Sequence, residues 1–155
     1  MADYPLIELE NSETVREFAY AGKKNGFIGM KEDEVKAALK SALEARAYEV
    51  TVKWGQATGA DIEAVLGSKT IIEAKGEGSY RQMLGNYFLQ ALGEILQRMD
   101  NDTVSYGIAV PAHRAYIELV LKLPKRVRQA LRLDFYFVRR KNTTAEIGVF
   151  RWHSG

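Results

Sequence analysis

A long, mostly apolar helix is predicted from about Ser79 to Met99. It separates one short apolar run that ends at Lys75 from another that begins at Thr103. A connection of that length lets the two flanking strands run parallel. Upstream, Val35, Leu39, Ala42 and Leu43 recur at helical spacing and predict a helix from about Lys31 to Ala47. Tyr48 to Trp54 alternates as a half-buried strand does. Ala60 to Leu66 and Lys69 to Lys75 read as two more strands, joined at Gly67-Ser68. Thr103 to Val110 is apolar on both faces and reads as a central strand, with Pro111 as its stop. The middle of the chain is therefore helix, three strands, helix, strand, helix. An α/β fold with a mixed sheet flanked by helices is expected.

The ends are less regular. Asn11-Ser12-Glu13-Thr14 reads as a helix start, with the helix running to about Ala21. Beyond Pro111, helices are expected from Ala112 to Leu121 and from Pro124 to Leu131. Strands are expected from Leu133 to Arg139 and from Ala145 to Trp152. At 155 residues one domain is expected over 1–155, with 1–30 an extension and 31–140 the core.

The chain has no cysteine and two histidines, His113 and His153. Disulfides, thiolate metal sites and an all-histidine zinc site are thereby excluded. Any metal would be held by oxygen, which favours Mg²⁺ or Mn²⁺. No apolar stretch has the length of a membrane span, and Met-Ala-Asp-Tyr-Pro lacks the pattern of a secretory signal. A cytoplasmic protein with no membrane partner is expected.

Charge is unevenly spread. Residues 1–112 carry 12 Lys/Arg against 17 Asp/Glu, and residues 113–155 carry 10 against 3. Lys122, Lys125, Arg126, Arg128 and Arg132, then Arg139-Arg140-Lys141, form basic clusters that a phosphate backbone would be drawn to. The alternative is a solvated helix face and a basic turn.

Asp61, Glu73 and Lys75 are the candidate chemistry. Two carboxylates and an ammonium at strand ends can hold a divalent ion and activate water. Whether they meet depends on register. A strict two-residue loop would point Asp61 away from Glu73. An odd loop or a bulge at Gly67 would set Asp61 opposite Glu73 or Lys75. Glu32 adds a fourth group. On a helical wheel it lies about 20° from Leu39 and Leu43, in the centre of the apolar stripe. Aimed inward, it needs a partner such as a metal or Lys75; exposed in the first turn, it needs none.

These residues resemble those of the PD-(D/E)XK nuclease superfamily, over roughly residues 31–140. The matching stretches are Glu32-Asp33-Glu34-Val35-Lys36, Gly59-Ala60-Asp61-Ile62 and Thr70-Ile71-Ile72-Glu73-Ala74-Lys75-Gly76. Ala91-Leu92-Gly93-Glu94 and Gly107-Ile108-Ala109-Val110-Pro111 look similar to the helix and strand that follow. The resemblance implies a restriction-endonuclease-like core, α-β-β-β-α-β, with C-terminal helix and strand additions. It implies that Asp61, Glu73 and the Ala74 carbonyl hold Mg²⁺ or Mn²⁺, that Glu32 supports that ion or a second one, and that Lys75 acts on the attacking water. Ala60 stands in place of the proline of the family name. Gln82 and Tyr87 are one residue too far apart for the Gln-x-x-x-Tyr pair of some branches. Gln82, nearest the site in an uncharged stripe with Asn86 and Gln97, remains a further candidate.

The expected function is metal-dependent hydrolysis of DNA phosphodiesters, with the basic C-terminal third on the backbone and a homodimer as one arrangement. The alternatives are a non-catalytic nucleic-acid-binding module of the same fold and a nuclease acting on RNA. His113, Ser79 and Ser105 have no companions for catalysis in the sequence, and Gly76-Glu77-Gly78 lacks phosphate-loop spacing.

Overall fold

In the computed structural model, which describes residues 6–20, 29–55, 59–140 and 147–154, seven strands form one mixed sheet and five helices flank it. The elements are β1 (Leu6–Leu9), α1 (Ser12–Tyr20), α2 (Glu32–Glu44), β2 (Glu49–Val52), β3 (Ile62–Leu66) and β4 (Ser68–Ala74). They continue as α3 (Arg81–Gln97), β5 (Ser105–Pro111), α4 (Arg114–Lys122), α5 (Lys125–Leu131), β6 (Leu133–Arg140) and β7 (Ile147–His153). The expected order of helix, three strands, helix and strand is met by α2 through β5.

Across the sheet the strands lie in the order β1-β7-β6-β5-β4-β3-β2. β2, β3 and β4 form an antiparallel meander, whereas β4, β5 and β6 are parallel. The helical crossovers between those three strands make the parallel pairing possible. β7 returns antiparallel to β6.

The two faces follow the two-residue period of a strand. Ile62, Ala64, Ile72 and Ala74 pack with Val35, Leu39 and Leu43 of α2 on one face. Ile108, Val110, Phe135 and Phe137 pack on the other with Leu84, Phe88 and Ala91 of α3 and Tyr116 and Val120 of α4. Each large side chain buried in this way contributes roughly 1.5–3 kcal/mol of transfer free energy. Glu73 alternates with Ile72 and Ala74, so it points into the α3 face.

The connection between β3 and β4 is odd. Ile62 pairs with Ile72 and Leu66 with Ser68, which leaves Gly67 alone between the strands. Gly67 has φ 74°, a left-handed conformation that glycine adopts readily. Carried one residue further, this register sets Asp61 opposite Glu73.

Three features depart from expectation. β1 pairs in parallel with β7, and α1 packs on α4, so residues 6–20 join the sheet and its helical layer. Pro111 is the last residue of β5 and still lies opposite Val138. Trp54 lies beyond β2, where its side chain is exposed.

Candidate active site

β4 delivers Glu73 and Lys75 to the carboxyl end of the parallel strands. The Lys75 N–H continues the ladder by donating to the Ala109 carbonyl at 3.0 Å. The Asp61 side chain folds back onto β4, where Oδ2 accepts the Ala74 N–H at 2.8 Å. The Ala74 N–H, between Glu73 and Lys75, is thus engaged with Asp61. One oxygen each from Asp61, Glu73 and Glu94 lies within 4.8 Å of the others.

Glu94 did not figure among the sequence candidates. It comes from α3, which crosses the sheet face into which Glu73 points. Its signal was there: it is the only acidic residue in the predicted apolar helix from Ser79 to Met99. Glu94 Oε1 stands 3.6 Å from Lys75 Nζ, so α3 ties the lysine to the cluster.

Glu73 is the most buried of the three, with 1% of its side chain exposed. Burial and the neighbouring Asp61 push its carboxyl up to about 8, against the pull of Arg98. Arg98, at the end of α3, donates from Nε to Glu73 Oε1 at 2.5 Å. The carboxylates are therefore held by the protein's own cations. Their donor set is all oxygen, as a hard divalent ion requires. A buried, strained-toward-neutral carboxyl beside two others is what such an ion would relieve, so the residues fit Mg²⁺ or Mn²⁺.

Glu32 and Gln82 take other positions. Glu32 is partly exposed at the start of α2 and pairs with Lys36, four residues on, at 3.1 Å. Among the described residues it belongs to a different cluster from the three convergent carboxylates. It does share with Lys75 a cleft of about 280 Å³, together with Lys31, Gly76, Glu77, Tyr87 and Gln90. Gln82 is exposed on the first turn of α3 and does not line that cleft. Gln90, two turns further along, does.

The basic residues divide into three groups. Lys122, Lys125 and Arg126 are exposed where α4 ends and α5 begins, beside the start of β6. That is the opposite end of the parallel strands from Lys75. Arg128 turns inward, stacks 4.5 Å from the centre of the Trp152 ring and donates to the Leu123 carbonyl at 3.1 Å. Arg139 stacks 4.0 Å from the Phe18 ring and donates to the Phe18 carbonyl at 3.2 Å. For both, burial pulls the guanidinium below its usual range. Both guanidinium groups are thus engaged with aromatic rings and backbone carbonyls of the protein itself. Arg140 pairs with Glu34 in the first turn of α2. Lys141 lies outside the described residues.

His113 caps α4, its Nδ1 accepting the Ala115 N–H at 3.0 Å. No described helix is long and apolar enough to cross a membrane. Comparison with protein-family models, with curated proteins and with solved structures finds no match.

Proposed function

We propose that this chain is a metal-dependent nuclease of restriction-endonuclease-like fold that hydrolyses phosphodiester bonds of DNA. The observation that carries the reading is the convergence of Asp61, Glu73 and Glu94 within 4.8 Å, with Lys75 beside them. Asp61, Glu73 and Glu94 would hold Mg²⁺ or Mn²⁺. Such an ion, when bound, lowers the pKa of water and polarises a phosphoryl oxygen. Asp61 is oriented for this by the Ala74 N–H, and Glu73 by Arg98.

Lys75 has a different task. Its side chain is mostly buried, at 12% exposure, and its ammonium faces Glu94 at the edge of the cleft. Charge on an entering phosphate competes with Glu94 for it. Lys75 then holds the attacking water and meets the negative charge that grows on the phosphoryl oxygens. Tyr87 and Gln90 line the approach and offer hydrogen bonds to the substrate.

The test is cleavage of plasmid, linear and branched DNA, and of RNA, with Mg²⁺, Mn²⁺ or chelator. Metal-dependent cutting is expected, falling roughly a hundredfold or more in Lys75→Ala while Mn²⁺ still binds. Undiminished cutting by that variant would remove Lys75 from the site. Binding of DNA without cutting, in wild type and variant alike, would favour the non-catalytic module. Cutting confined to RNA would change the substrate and keep the centre.

A further inference from the structure

Lys36 stands in the middle of α2 with none of its side chain exposed. An ammonium so placed needs acceptors for three N–H donors. Lys36 Nζ donates to the Lys53 carbonyl at 2.7 Å. Around it lie Glu32 Oε2 at 3.1 Å, Asp61 Oδ1 at 3.4 Å and Asp33 Oδ1 at 3.7 Å. One carbonyl and three carboxylates form the kind of oxygen shell that suits a hard cation.

Asp61 belongs to both groups. With Glu73 and Glu94 it makes the convergent carboxylate cluster. With Glu32 and the Lys53 carbonyl it surrounds Lys36. Enzymes that cut phosphodiesters with two ions place them about 3.5–4 Å apart, one for the attacking and one for the leaving oxygen. Here Asp61 is common to the convergent carboxylates and to the oxygen shell around Lys36, and the Lys36 ammonium occupies that shell.

We propose that Lys36 is the fixed second cation of this centre and limits each chain to one divalent ion. The inference rests on the metal-dependent reading above. Lys36 is a positioning residue: it touches Asp61 and Glu32, and its charge does for Asp61 what a second ion would do. Glu32 is then spent on Lys36 and leaves the divalent ion to Asp61, Glu73 and Glu94.

The experiment counts Mn²⁺ bound to the full chain, by titration calorimetry and by the paramagnetic resonance of the free ion. Wild type is expected to bind one ion per chain. Lys36→Met keeps the bulk of the side chain and removes its charge; it is expected to bind two, and to return to one when Glu32→Gln is added. Glu32→Gln alone changes a partly exposed residue and is expected to leave the count at one. Two ions in wild type overturn the inference. So does loss of the single ion in Glu32→Gln, or a folded Lys36→Met that still binds one. No Mn²⁺ bound by wild type overturns the metal-dependent reading itself, an outcome distinct from a count of two.

Discussion

Glu73 carries the strongest electrostatic tension in the centre. It is buried, it faces Asp61, and its carboxyl is raised from an ordinary 4.5 to about 8. Between those values the folded protein keeps a proton that the unfolded chain has released. In the ion-free protein, stability therefore falls as pH rises through that window. A divalent ion held by Glu73, as proposed, would displace the same proton. Its affinity is expected to rise about tenfold per pH unit up to about pH 8 and then to level off. Calorimetry near pH 7 in buffers of different ionisation heat should show about one proton released per Mn²⁺ bound. An affinity independent of pH between about 6 and 8 would mean that Glu73 is already ionised before the ion arrives. At this scale the sequence was informative where chemistry has a fixed spacing along one strand. Glu73 and Lys75 are two residues apart and had to share a face. Glu94 and Arg98 were harder to find because their roles depend on where α3 crosses the sheet. Lys36 was closer to legible than it looked. The helical wheel that turns Glu32 inward places Lys36 about 40° away, on the same buried stripe.

Among the elements, a tight junction lies where the chain leaving β4 meets the start of α2. A Cβ on Gly76 would stand 2.4 Å from the Glu32 nitrogen and 2.7 Å from the Lys31 carbonyl carbon. Both are backbone atoms, so no side chain can swing away. The Gly76 carbonyl is fixed as well, accepting the Tyr116 hydroxyl at 2.6 Å. Glycine at this point lets α2 seat beside the strand that carries Lys75. Gly76→Ala is expected to destabilise the protein by about 1–3 kcal/mol through overpacking. It should also weaken cleavage more than that loss of folded protein explains, because α2 and Lys75 are pushed apart. Urea unfolding beside single-turnover rates on the folded fraction checks both; a variant of wild-type stability and rate would show that α2 has slack here. The meander was partly legible in the same terms. The alternation of β3 and β4 was readable, and the demand for an odd connection followed from the chemistry, but only the structure gives the single Gly67 turn. β1 was invisible because four residues carry too little periodicity. Its partner, β7, lies at the far end of the sequence.

At the scale of the whole molecule, the carboxylate centre and the exposed basic cluster occupy opposite ends of the parallel strands. Composition suggested that the basic C-terminal third grips the phosphate backbone. The fold buries Arg128 against Trp152, stacks the half-buried Arg139 on Phe18, and leaves Lys125 and Arg126 exposed in α5, the helix that leads into β6. The uneven charge along the chain was legible, but its direction in space depends on the sense of α4 and α5, which a charge count does not contain. A phosphate that reaches Lys75 passes Lys31, which is exposed and lines the same cleft. Each phosphate contact contributes about 0.9 to the slope of log affinity against log salt on a duplex. With cutting blocked by chelator, Lys31→Ser is expected to lower that slope by about one and to weaken binding to all sequences alike. Lys125→Ser with Arg126→Ser is expected to leave it unchanged, because a duplex lying across the carboxylate end does not extend to α5. The measurement is DNA affinity at several salt concentrations for wild type and the two variants. The reverse pattern, a fall of about two for the α5 pair and none for Lys31, would put the duplex at the other end of the sheet. The acidic cluster would then face away from the bound nucleic acid, and a second surface would be needed to explain any cutting.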